Sequence, residues 1–148
     1  MILALDVATR TGWAYKAEIW HTGTVDATCE DTRRLTLINA QRAGCTHLVV
    51  EDCFAGLNVG TFRTLIELQT KWKMDAAYMG YQLCKPVMPS VWQSKILVIG
   101  GCKPGKGETK QYAAIAARML GANCKTQDEC DAVCLSEYAR CVELDIDK

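Results

Sequence analysis

Apolar and polar positions fall into short blocks whose period changes along the chain. Residues 2–8 (ILALDVA) are rich in aliphatics and alternate, and 12–17 (GWAYKA) and 19–25 (IWHTGTV) follow closely. Such runs predict an antiparallel meander of three strands. The next block, Asp31–Gly44 (DTRRLTLINAQRAG), takes a helical period, with Gly44 placed as its C-terminal cap. His47–Asp52 (HLVVED) is a second buried-type strand and ends in acid. The longest helical candidate runs from Val59 to Tyr81, with Phe62, Leu65, Ile66, Gln69, Trp72, Ala76 and Met79 near one face. Pro86–Ser90 (PVMPS) reads as a short strand stopped by Pro89. Ser90–Ile99 fits a helix by its early period and a strand by its β-branched end. A loop over Gly100–Glu108 precedes helices over Thr109–Gly121 and from Gln127 to about Val142.

The order βββαβαβαα predicts an α/β fold: a central mixed five-stranded sheet, antiparallel meander first, with helices on both faces. No repeat, low-complexity tract or linker divides the 148 residues, so a single domain is expected over 1–148.

Acidic residues break the apolar pattern in three places. Asp6 shares a strand face with Ile2 and Ala4, where an unpaired carboxylate is costly or takes up a proton. Glu51 ends an aliphatic strand in the same manner. If these strands are neighbours, as the commonest connections imply, the two acids meet at one edge of the sheet and repel unless a cation lies between them. In TQDECDAVCLSEYA, Asp128 and Asp131 lie one helical turn apart, on a face continued by Ala132, Leu135 and Tyr138 or Ala139. A capping box of Thr126 and Glu129 accounts for part of this acidity. It leaves Asp131 unexplained on the apolar stripe. Taken together, Asp6, Glu51, Asp128 and Asp131 have one common physical need, met by hard oxygen ligation of Mg²⁺ or Mn²⁺. Two such ions roughly 3.5–4 Å apart can activate a water and stabilise the leaving oxygen of a phosphodiester.

The run ILALDVATRTGW, the strand end VVEDCF and the helix with DECDAV, in that order and spacing, resemble RuvC-type Holliday-junction resolvases of the RNase H-like nuclease superfamily. The resemblance spans nearly the whole chain. It implies a homodimeric crossover junction endodeoxyribonuclease that nicks two strands of a four-way or related branched DNA symmetrically, with two Mg²⁺ (or Mn²⁺) ions per active site. Asp6, Glu51, Asp128 and Asp131 match the family's catalytic and metal-binding acids, Asp6 lying between the two ions. Phe54 matches an aromatic that stacks at the opened junction, and Lys95 and Lys110 match basic positions that contact DNA. Two features depart from the pattern: Val7-Ala8-Thr9 replaces a proline- and glycine-rich turn, and Asp52 adds an acid beside Glu51. An RNase H-like nuclease acting on RNA or an RNA/DNA hybrid is the alternative within the same fold. The segment DVATRTG is also similar to a phosphate motif of actin-like sugar kinases, but those enzymes close two such domains around ATP.

Charge sharpens the picture locally. Lysine plus arginine and aspartate plus glutamate number 17 each, so an anionic partner must be met by a patch. GGCKPGKGETK supplies Lys103, Lys106 and Lys110 on a glycine-rich stretch, with Lys95 upstream, and this suits phosphate contact. The same stretch fits G-x-x-x-x-G-K over Gly100–Lys106, a P-loop-like nucleotide-binding alternative. Gly107 stands where that motif requires Ser or Thr, and the motif comes late in the chain. Nine cysteines, odd in number, scattered and without a CxxC pair, read as small hydrophobes in a reducing compartment, not as a zinc site. No run approaches a membrane span or a signal peptide. The expectation is a cytoplasmic protein with no membrane partner and no small-molecule substrate. The long helix from Phe62 to Met79 is the expected dimer interface.

Overall fold

The computed structural model describes residues 1–52 and 58–142. Strands β1 (Ile2–Asp6), β2 (Arg10–Lys16) and β3 (Trp20–Asp26) form the antiparallel meander. On the other side of β1, β4 (His47–Val50) and β5 (Gln82–Leu83) add in parallel, giving a five-stranded sheet of order β3-β2-β1-β4-β5. Helices α1 (Glu30–Ala43) and α2 (Val59–Tyr78) cover one face. Helices α3 (Pro89–Ile96), α4 (Thr109–Met119) and α5 (Gln127–Val142) cover the other.

The two-residue alternation of the central strands divides the core. Leu3, Leu5, Leu48 and Val50 pack with Leu37 of α1 and Leu68, Trp72 and Ala76 of α2. Ile2, Ala4 and Val49 pack with Trp92 of α3, Ala113 and Ala116 of α4, and Leu135 and Ala139 of α5. Gly44 caps α1 as the sequence predicts: at φ 113° its N–H reaches the carbonyls of Ala40 and Gln41.

Two elements differ from the sequence reading. The fifth strand is Gln82–Leu83, and Val87 contributes only an isolated parallel bridge to Glu51. Pro89 opens α3 where it was expected to stop a strand; its fixed φ and missing N–H suit a first helical position. The ambiguity over Ser90–Ile99 resolves as helix to Ile96, with β-branched Val98 and Ile99 beyond its end. Among the described residues no disulfide forms, and no helix is long and apolar enough to cross a membrane.

Asp75 of α2 ties that helix to Arg33 and, more loosely at 3.8 Å, to exposed Arg34 of α1. Buried Arg33 donates from Nε to Asp75 Oδ2 at 3.0 Å and from Nη1 to the Ala27 carbonyl at 2.6 Å. Asp75→Ala strands a buried guanidinium and is expected to cost about 3 kcal/mol in urea unfolding. A loss below about 1 kcal/mol would show that Arg33 swings out to water.

Candidate active site

The parallel register of β1 and β4 pairs Ile2 with His47 and Leu5 with Val50, and one further step sets Asp6 beside Glu51. Both acids lie on the face of Ile2, Ala4 and Val49, beneath α5. The chain beyond β4 is pinned from its other side. Asp52 N–H donates to the Val87 carbonyl at 2.8 Å, and Val87 N–H donates to the Val50 carbonyl at 3.1 Å. Gln69 of α2 donates from Nε2 to the Glu51 carbonyl at 2.6 Å.

The opposing wall is the first turns of α5, which sit directly on β2. A Cβ added at Gly12, the β2 residue paired with Asp6, would lie 2.7 Å from Asp128 Cβ and closer still to the Asp128 carbonyl. Only glycine lets the helix approach this near. Glu129, 4% exposed, anchors the turn: Oε1 accepts from Thr22 of β3 at 2.7 Å and Oε2 from Thr126 at 2.9 Å. Glu129 N–H in turn donates to Thr126 Oγ1 at 3.2 Å, so the capping pair is real. Further along the helix, Ser136 donates to the Ile2 carbonyl at 3.2 Å. Asp131 therefore stays at the sheet edge although Ala132, Leu135 and Ala139 of the same stripe are fully packed.

All four carboxylates are half-buried and feel one another. Asp6 is pushed up to about 9 by burial, by the charges of Glu51, Asp131 and Asp128, and by a hydrogen bond shared with Asp128. Glu51 rises to about 7 through burial and the Asp131 charge, opposed by the Trp92 indole, whose Nε1 donates to Oε2 at 2.7 Å. Asp131 rises to about 6 through burial and Asp128, opposed by Gln127 Nε2 at 3.0 Å and by the nearby Lys110 charge. An all-oxygen donor set short of positive charge fits a hard divalent cation. Among the described residues, however, no three His, Cys, Asp or Glu side chains converge tightly enough to hold an ion as they stand.

No protein-family model and no curated protein matches the sequence. Solved structures do match. Thermus thermophilus RuvC in complex with a Holliday junction substrate superposes with a TM-score of 0.68 at 12% identity, over 93% of this chain and 90% of that one. A second Thermus thermophilus RuvC structure gives 0.69 at 13% identity, over 96% of each chain. The fold is that of RuvC. The order of elements and the mixed sheet expected of an RNase H-like protein are both present.

On this RuvC fold the basic residues are spread. Lys110, in the first turn of α4, is the one whose charge reaches the carboxylates, through Asp131. Lys95 of α3 is exposed and lies 6.0 Å from the ring centroid of Tyr138, two turns along α5 from Asp131. Lys103 and Lys106 are exposed on the loop before α4. Phe54 lies outside the described residues. Gly100–Lys106 does not have the form of a phosphate-binding loop: Gly100 and Gly101, at φ 59° and 79°, make a tight turn bridged by Ile99 and Cys102. The element before it is α3 and not a sheet strand, and α4 starts only at Thr109.

Sequence reasoning passed over four contributors: Gly12, Gln69, Trp92 and the Thr22–Glu129 contact. Gln69 carried a signal, as a polar residue on the apolar face of the longest helix. Gly12, Trp92 and Thr22 carried none, since each acts through a residue distant in sequence.

Proposed function

We propose that the protein is a divalent-metal-dependent endonuclease that resolves four-way or related branched DNA by paired nicks. The observation that carries this is the electrostatic coupling of Asp6 to Glu51, Asp128 and Asp131 on a RuvC fold. A neighbour with that fold is described in complex with a Holliday junction substrate. Asp6 would hold both Mg²⁺ or Mn²⁺ ions, with Glu51 and the Asp128/Asp131 pair completing their ligands. When bound, the metal supplies the Lewis acidity that activates water and stabilises the leaving oxygen of the phosphodiester. Lys110, next to Asp131, would draw a DNA phosphate to the carboxylates, and Lys95, Lys103 and Lys106 would hold flanking phosphates. Phe54 would stack on a base at the opened junction.

A junction has two equivalent strands to cut, so paired nicks call for two copies of the site and a twofold dimer. The outer face of α2 is the surface offered for it, exposing Val59, Ile66, Met74 and Tyr78 opposite buried Leu68, Trp72 and Ala76.

The deciding assay incubates labelled four-way, forked and linear DNA with the purified protein, with and without Mg²⁺, beside Asp6→Asn. Metal-dependent junction nicking lost in Asp6→Asn is expected; junction cutting that survives the substitution, or no cutting of any DNA, overturns the reading. Lys110→Ala is expected to weaken junction binding in Ca²⁺ and to lower the salt slope of log K by about 1. An unchanged slope would remove Lys110 from the interface.

A further inference from the structure

The Glu51 side chain is tethered as well as placed. Its Oε2 accepts the Trp92 indole N–H at 2.7 Å, and its own carbonyl accepts Gln69 Nε2 at 2.6 Å. Trp92 is 1% exposed and Gln69 5% exposed, on helices that cover opposite faces of the sheet. One donor therefore fixes the backbone of Glu51 from the α2 side, and the other fixes its carboxylate from the α3 side. Trp92 belongs to the same buried cluster as Val49, the strand residue two before Glu51, and Val87, which bridges to Glu51. A buried tryptophan usually finds a partner for its single N–H, and a tyrosine or lysine would bring a longer or charged donor. With Oε2 occupied by the indole N–H, Oε1 is the oxygen not engaged by Trp92.

We infer that Trp92 is a positioning residue for metal binding: its indole N–H holds Glu51 by Oε2 so that Oε1 is presented as a ligand. This rests on the metal-dependent reading of the four carboxylates. It adds an outer hydrogen bond to the ligand set, of the kind whose removal typically costs 10–100-fold in metal affinity. A free Glu51 side chain would have three more torsions to order on binding the ion, and the like charge of Asp131 would turn it away from the site.

The test measures Mn²⁺ binding to the DNA-free protein by the loss of the free-ion paramagnetic resonance signal. The proteins compared are wild type, Trp92→Phe, Glu51→Gln and the double variant. Trp92→Phe keeps the ring and removes the donor, and it is expected to weaken Mn²⁺ binding about tenfold. In the Glu51→Gln background the same change is expected to have no further effect, because Trp92 acts through that carboxylate. Equal losses in both backgrounds, or none in the wild-type background, overturn the inference. Should Trp92→Phe fail to fold, 3-benzothienylalanine at position 92 removes the N–H at nearly constant volume and faces the same two criteria. Wild-type protein that takes up no Mn²⁺, or no more than Asp6→Asn does, instead overturns the metal-site reading itself. That result differs from wild type and Trp92→Phe binding alike.

Discussion

Asp6→Asn is expected to abolish the proposed metal-dependent cleavage and at the same time to stabilise the metal-free protein. The first effect follows from the metal-holding role proposed for Asp6: loss of that carboxylate would remove several kcal/mol of transition-state stabilisation, roughly 10³-fold or more in rate. The second follows from what the carboxylate costs the empty site. Asp6 rises from the ordinary 3.8 to about 9 in the folded chain, so between those values the folded state binds more protons than the unfolded one. Stability then falls as pH rises across that window. Glu51, raised to about 7, and Asp131, raised to about 6, steepen the fall in its lower part. Metal-free protein should therefore melt progressively lower between about pH 5 and pH 9. Asp6→Asn should flatten the slope and lift the pH 8 melting temperature by a few degrees. Saturating Mg²⁺ should do the same for wild type, by binding only the folded state. Calorimetry with chelator, with Mg²⁺, and on the variant separates these effects. A metal-free profile that is flat across pH 5–9 would mean that Asp6 is neither buried nor crowded by the other three acids as the structure has it.

Gly12→Ala carries the second large effect. The new methyl meets Asp128 Cβ at 2.7 Å and the Asp128 carbonyl more closely, and the obstruction is backbone. The first turn of α5 must lift, against the Glu129–Thr22 hydrogen bond that holds it to β3. A loss of about 3 kcal/mol in urea unfolding is expected, at the upper end of ordinary overpacking. Cleavage should fall by roughly 10²-fold or more even where the protein is folded, because Asp128 is a proposed metal ligand and a displacement near 1 Å at such a residue has that consequence. Gly60→Ala is the control: there a Cβ meets only Asn58 Oδ1 at 3.5 Å, at the start of α2, and little change is expected. Gly12→Ala with wild-type stability and cleavage would show that α5 can shift without harm, and that the Asp6–Asp128 contact is not needed.

Much of this arrangement was legible in the sequence because it depends on period. Alternation in ILALD places Asp6 with Ile2 and Ala4, alternation in HLVVE places Glu51 with Val49, and the i, i+3 spacing of Asp128 and Asp131 sets both on one helix face. The meander, the capping pair of Thr126 and Glu129, and Gly44 at the end of α1 are likewise local, and local chemistry decides them. Where a local signal had two meanings the reading failed. Pro89 stops a strand and starts a helix equally well, and the fifth strand was placed at Pro86–Ser90 when β5 is Gln82–Leu83. The apolar face of α2 was drawn slightly wide for a similar reason: Ile66 is 39% exposed, turned from the core toward the face proposed for a second copy.

By itself the sequence determined the meander, β4, most of the helices and the direction each acid faces, since these follow from bond geometry repeated every two or 3.6 residues. It could not determine which elements touch. That β1 and β4 are neighbours in a register setting Asp6 beside Glu51 was decided by the tertiary structure, as was the closeness of α5 to β2 at Gly12. The tether from Trp92 to Glu51 spans 41 positions and the anchor from Thr22 to Glu129 spans 107. Contacts of that separation exist only after the core has packed, because the apolar area buried on both faces of the sheet, and not any local preference, brings those side chains together.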